Sequence, residues 1–170
     1  ARTLSKSTRP ASEVSRPYDV ERDGFVLAEG GAVVILEEWE HAVKRGAKIY
    51  AEIIGYGQSS DGYDVVAPDP EGKGVELALK NCLKDGGKTP EEIDYINMHG
   101  TITHLGDIAE SQTVARVFGD RKTNPHLCVS SSKSMTGHML GATGSAEAII
   151  TIKAMNESIA PPTINIVNLD

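Results

Sequence analysis

"SSSKSMTGHMLGATGSAEA", residues 130–148, sets one lysine and one histidine among serines, threonines and glycines, between two apolar runs. That composition fits a junction: "HLCVSS" (126–131) reads as a strand, and residues 139–156 as a helix. Lys133 lies five residues before His138, and Glu147 fourteen after Lys133 on the expected helix. An ammonium brought into a partly dry site needs a carboxylate partner, and Glu147 can reach back to supply it. The alternative is a solvent-facing lysine and a helix-surface glutamate. Because "GATGSAEAII" is otherwise small and apolar, Glu147 is expected to be buried and paired, on a central, enclosed helix. Its glycines cost roughly 1 kcal/mol each in a helix interior, a cost that close backbone approach by neighbours would offset.

Outward from this stretch, strands and helices alternate. "GFVLAEGGAVVILEEW" reads as strands 24–28 and 32–37 around a Glu29-Gly30-Gly31 break, followed by a short helix closing at Gly46. "KIYAEIIGYG" (48–57) is β-branched and aromatic, hence a strand, and residues 58–74 are a turn-rich loop long enough to be functional. From Val75 the apolar positions Val75, Leu79, Cys82 and Leu83 share a helical face ending at Gly86-Gly87, which places Cys82 in the core. Thr89 caps a single turn with Pro90 at its first position, and this feeds a strand at 94–98. A helix over 106–118 then turns Ile108, Thr113 and Val117 inward. Alternation of this kind argues for a layered α/β domain spanning residues 1–170.

Bulk properties narrow the function. A chain of 170 residues with 39% hydrophobic and 24% charged residues suits one globular domain. A net charge of −7 disfavours nucleic acid as a partner, and Arg2, Lys6, Arg9 and Arg16 read as a solvated basic margin. No apolar run approaches the ~20 residues of a membrane span. The two cysteines, with no signal-peptide pattern, suit a reducing cytoplasm, and both are taken as structural. The abrupt ends suggest a fragment.

His99 and His138 share a setting: each follows a strand, sits among Gly, Ser and Thr, and precedes a helix. Taken alone, a loop histidine is usually a solvated side chain; two in matching strand-end loops, where α/β sheets hold their sites, argue for chemistry. Either imidazole can donate a hydrogen bond to a developing oxyanion or shuttle a proton. His41, His104 and His126 lack that setting and are expected at the surface. No P-loop and no G-x-S-x-G elbow is present.

Three blocks, "RPYDVERDGFVLAEGGAVVILEE", "EEIDYINMHGTITHLGD" and "VSSSKSMTGHMLGATGSAEAI", resemble in order and separation the signature blocks of the β-ketoacyl-[acyl carrier protein] synthases, the thiolase-fold condensing enzymes. The resemblance is closest to the elongating type II form of fatty-acid synthesis, and it covers essentially the whole chain. Polyketide ketosynthases, which share these blocks, are the runner-up, and a non-catalytic chain-length-factor-like subunit is the alternative of another class. The resemblance implies the C-terminal half of a thiolase-like fold: a mixed five-strand sheet covered by helices, completed by the N-terminal half of the same protein, in a homodimer. It implies a decarboxylative Claisen condensation of an acyl thioester with malonyl-acyl carrier protein. His99 and His138 match the catalytic histidines, Lys133 the lysine near the second of them, and Glu147 its partner. Thr101 and Thr103 match positions that bind the carrier's phosphopantetheine arm. Asn97, the Met98 carbonyl and Glu147 match positions that hold a structural monovalent cation in some members. The family's nucleophilic cysteine block and its closing Gly- and Phe-rich loop have no counterpart here, so the fragment alone is expected to be inactive. Ile102 and His104 stand where the family usually has Ser and Pro, which should loosen the loop, and Met98 replaces a common Ala, which should narrow the pocket.

Overall fold

A computed structural model describes residues 3–170; Arg2 of the expected basic margin lies outside them. The hydrophobic core forms where "INMH" passes beneath two amphipathic helices. Met98, Val114 and Phe118 are its buried centre, with Leu79, Leu83, Ile93, Ile96 and Leu127 packed around them. These residues come from α3 (Lys73–Asp85), β1 (Tyr95–Asn97), α4 (His104–Phe118) and the approach to β2 (Cys128–Ser130). Met98 therefore fills the core rather than narrowing a pocket. The chain 48–57 runs so close against α3 that a Cβ at Gly57 would lie 2.0 Å from the Ala78 carbonyl oxygen.

β1 and β2 pair in parallel, with Tyr95 opposite Cys128, Ile96 opposite Val129 and Asn97 opposite Ser130. α4 is the crossover between them, as a parallel pair requires. Turn chemistry follows the sequence closely. Thr89 and Glu92 form a reciprocal capping box around the single 3-10 turn Pro90–Glu92. α2 (Trp39–Lys44) is capped by the Glu38 carboxylate, which accepts from the Glu40 and His41 N–H groups. A short α1 (Ala11–Val14), a helical turn α5 (Lys133–Thr136) and α6 (Thr143–Glu157) complete the order.

The expected five-strand sheet is reduced to this two-stranded ladder among the described residues. Segment 24–28 makes only isolated bridges, Phe25 to Leu4 and Leu27 to His138. Segments 32–37 and 48–57 carry no ladder bonds, and Val33 and Ile35 are each 85% exposed. A strand needs neighbours on its hydrogen-bonding edges, and these apolar segments have none among the described residues. The enclosed helix is likewise corrected. Thr143 is the one buried residue of α6, and a Cβ at Gly141 or Gly144 would meet nothing within 4 Å. Cys82 is half-buried and Cys128 exposed. The basic margin is not solvated at Arg16, which is buried and paired with the buried Asp19 at 3.3 Å. No described helix is long and apolar enough to cross a membrane.

Candidate active site

The two strand-end loops bring His99 and His138 together. Their rings meet edge to face with centroids 5.6 Å apart, and Phe25 packs edge-on against His138 at 5.2 Å. They line one cleft of about 1060 Å³ together with Thr101, Thr103 and Glu110. The long loop 58–74 supplies its outer wall through Asp61, Asp64 and Asp69, and His104 stands on its rim. As expected, His41, His104 and His126 are exposed.

His99 is held through its backbone. The Glu110 carboxylate accepts the His99 N–H at 2.6 Å and the Gly100 N–H at 2.8 Å, and the Tyr18 hydroxyl donates to it at 3.0 Å. Gly100, at φ 43°, lies so close to the next loop that a Cβ would fall 2.5 Å from Ser131 Oγ. Beyond it the chain turns through Ile102, a fully buried β-branched residue at φ 71°, a strained conformation held from both sides. The Ile102 N–H donates to Asp107 Oδ1 at 3.1 Å, and its carbonyl accepts the Gly24 N–H at 3.0 Å. Thr101 and Thr103 bond each other's hydroxyls at 3.1 Å, and Arg22 donates to the His104 carbonyl. Hydrogen bonds thus supply the rigidity expected to be lost with proline. Burial pushes the Asp107 carboxyl up to about 6, against the pull of the Tyr18 N–H and the Arg22 charge.

His138 is clamped by the extended segment 26–28. Its N–H donates to the Val26 carbonyl at 2.8 Å, and its carbonyl accepts the Ala28 N–H at 3.0 Å. The Leu140 N–H donates to ring Nδ1 at 3.2 Å, so in the neutral ring the proton sits on Nε2. Burial, then the Lys133 charge, lowers the His138 pKa. His99 is driven down to about 4 by burial, by Lys133 and by His138, although one side of it faces the open cleft. At neutral pH both imidazoles are therefore uncharged donors and acceptors.

Lys133 does not line the cleft. It is fully buried beneath it on α5, with its ammonium 2.6 Å from Glu147 Oε1 on α6. The Ser132 hydroxyl also donates to that oxygen, at 3.3 Å, and Asn97 Nδ2 donates to Ser132 and Thr151. Asn97 and Glu147 thus meet in one polar cluster with Ser132 and Lys133, in which Lys133 and Ser132 both bond Glu147 Oε1. No group of three or more His, Cys, Asp or Glu suited to a metal ion occurs among the described residues. Sequence reasoning passed over Glu110, Asp107 and Tyr18. The available signal was the acidic pair three residues apart on the helix directly after "HGT".

The family model for the beta-ketoacyl synthase C-terminal domain matches residues 50–167. The chain is 52% identical to the 3-oxoacyl-[acyl-carrier-protein] synthase 2 of Coxiella burnetii over 169 residues, 99% of this chain and 40% of that protein. It is 47% identical to the mitochondrial 3-oxoacyl-[acyl-carrier-protein] synthase of Arabidopsis thaliana, covering 100% of this chain and 37% of that one. Among solved structures, one of a type II PKS acyl-carrier protein in complex with its ketosynthase bound to the hexaketide matches at a TM-score of 0.93 and 35% identity, over 99% of this chain and 41% of that one. The chain spans about 40% of the length of the curated relatives it matches. Its mixed α/β fold is that of the thiolase-like ketosynthase C-terminal domain. With the domain model matched over most of its length and these identities on both sides of that match, the chain belongs to the β-ketoacyl synthase family.

Proposed function

We propose that this chain is the C-terminal part of a β-ketoacyl-acyl carrier protein synthase of fatty-acid elongation, and that His99 and His138 are its catalytic histidines. The observation that carries the reading is the pair of facing, neutral imidazoles in one cleft. In the reaction an acyl group passes from its carrier thioester to a cysteine thiol, releasing the carrier thiol. Malonyl-carrier then loses its carboxylate as carbon dioxide. The resulting carbanion attacks the acyl thioester carbon and expels the cysteine thiolate, which takes up a proton.

The residues of this chain serve the second half. The enolate oxygen formed on decarboxylation needs donors fixed before the charge appears, in surroundings poor in water. His138 offers Nε2–H because the Leu140 N–H holds its other nitrogen, and His99 stays neutral because of its burial and, second, the nearby Lys133 charge. Thr101 and Thr103, at the cleft wall, suit the amides of a phosphopantetheine arm delivered by acyl carrier protein. A structural monovalent cation, where one binds, would be held by Asn97, the Met98 carbonyl and Glu147, sharing that carboxylate with the Lys133 ammonium, and no step of the reaction passes through it. Relatives some two and a half times longer support a remaining N-terminal half, to which we assign the nucleophile and the covering of the exposed apolar segments; the homodimer rests on the family resemblance. Both histidines and Lys133 are present, which favours an enzyme over a chain-length-factor-like partner. The identity of 52% to a 3-oxoacyl-[acyl-carrier-protein] synthase 2 against 35% to the ketosynthase of a type II PKS favours elongation.

The test is His99→Ala and His138→Ala in the complete synthase. Each variant should still be acylated at its cysteine and lose decarboxylative condensation; full condensation by both overturns the assignment. The 170-residue chain alone should show no condensation.

A further inference from the structure

Thr143 opens α6 and is 3% exposed. The N-cap position belongs to Ala142, and the Thr143 hydroxyl meets His138 Nδ1 at 3.1 Å. That nitrogen also accepts the Leu140 N–H at 3.2 Å. A backbone N–H is a donor only, so Nδ1 presents its lone pair on this side and carries no proton. The Thr143 hydroxyl, facing the same lone pair, must therefore be the donor.

We propose that Thr143 is a positioning residue for His138: with the Leu140 N–H, its hydroxyl holds the ring in the Nε2–H tautomer and fixes its plane against Phe25 and His99. This rests on the reading of His138 as the oxyanion donor. The two donors act from different elements, Leu140 from the 3-10 turn Leu140–Ala142 and Thr143 from the start of α6, so the ring is tied to the helix that carries Glu147. Protonating Nδ1 would set an N–H against the Leu140 N–H and lose that bond, and would oblige the Thr143 hydroxyl to turn from donor to acceptor, so the pair together favours the neutral ring. The charged groups around His138 are Lys133 on α5, which opposes its charging, and Glu147 on α6, which favours it. His99 faces it across the ring contact, and Arg22, Asp23, Glu110, His104 and the loop carboxylates Asp61, Asp64 and Asp69 line the same cleft.

The test uses the complete synthase, with isotope-labelled histidines observed by nitrogen NMR alongside steady-state condensation. Thr143→Val keeps the shape and removes the donor, whereas Thr143→Ser keeps the donor. In Thr143→Val the His138 Nδ1 resonance should move toward that of a free acceptor, and its pKa should rise by up to about one unit. Condensation kcat should fall about tenfold with KM unchanged, the equivalent of one neutral hydrogen bond. Thr143→Ser should restore each quantity. A loss of kcat with the His138 resonance and pKa unmoved, or an equal loss in the Val and Ser variants, assigns Thr143 to packing and overturns the proposal. So does a Thr143→Val enzyme indistinguishable from wild type. If Thr143→Val does not fold, Thr143→Ala carries the same readouts. The NMR comparison needs no turnover, so a wild-type protein inactive in condensation would refute the proposed function while leaving the tautomer question answered.

Discussion

Two regions of this molecule reverse the usual distribution of polarity. Around the strand ends the buried residues are Asp19, Ser131, Ser132 and Lys133, each fully enclosed, with Asp107 1% exposed. In the stretch 33–66 large apolar residues stand exposed among the charged ones: Ile35 at 85%, Ile53 at 73% and Val65 at 100%. The first region has a partner for nearly every polar atom. Asp19 accepts N–H bonds from Glu21, Val167 and Asn168 as well as the Arg16 charge, and the three successive serines each find an acceptor or donor. The second region touches α3 through its glycines, yet most of its large apolar side chains have nothing over them among the described residues. The contrast separates two jobs: polar contacts inside this chain define the cleft, while its apolar surface is the kind that marks an interaction face rather than a free one.

The comparison can be broken first at Asp19. Asp19→Ala leaves three N–H groups without an acceptor and the buried Arg16 guanidinium without its buried carboxylate, and should lower the unfolding free energy by about 3 kcal/mol in denaturant titration. A loss below about 0.5 kcal/mol, the scale of an ordinary surface change, would show that the polar region does not carry the fold.

Next in size is pH. The Asp107 carboxyl is raised from 3.8 to about 6 on folding, so between those values the folded state keeps a proton that the unfolded state releases. From this group, stability falls as pH rises from about 4 to 6. His99 works in the opposite sense: its pKa drops from 6.5 to about 4, so acidification through that range favours unfolding. Asp107→Asn removes the first contribution, and the wild-type-minus-variant stability difference should decline across this window. A flat difference would mean that the Asp107 carboxyl is not held in a dry setting.

Smaller still is Gly144→Ala. With open space around the position, alanine should stabilise the chain by roughly 0.5–1 kcal/mol through helix propensity. In the complete synthase the sign should reverse if another element lies against that face. Smallest in stability is the pair Ile35→Glu and Ile53→Glu, which should change unfolding by no more than about 0.5 kcal/mol while lowering binding of a hydrophobic dye. An unchanged dye signal would place the apolar surface elsewhere.

Much of the site could be read in advance because the chemistry was local in sequence. Lys133, His138 and Glu147 sit within fifteen residues, and the Gly- and Ser-rich turns around them announced strand ends. The capping box at Thr89 and the helix behind "HGT" were legible for the same reason, since caps and periodicity are short-range signals. Glu110, Tyr18 and Asp19 were not, because their partners are brought from distant positions: Tyr18 reaches Glu110 across 92 residues. The sheet was overestimated where β-branched runs at 32–37 and 48–57 promised ladders, because propensity marks a surface that suits pairing but does not supply the neighbouring strand.

The clasp at Asp19 also has a temporal side. The carboxylate stands next to Tyr18, whose hydroxyl steadies the loop of His99, yet two of its donors arrive 148 and 149 positions later in the chain. During synthesis the first strand-end loop can be threaded and its helix wound long before residues 167 and 168 emerge, leaving the Asp19 carboxylate with two bonds to water that must be exchanged at the last moment. The loop of His99 is therefore made well before the residues that complete the Asp19 clasp beside it.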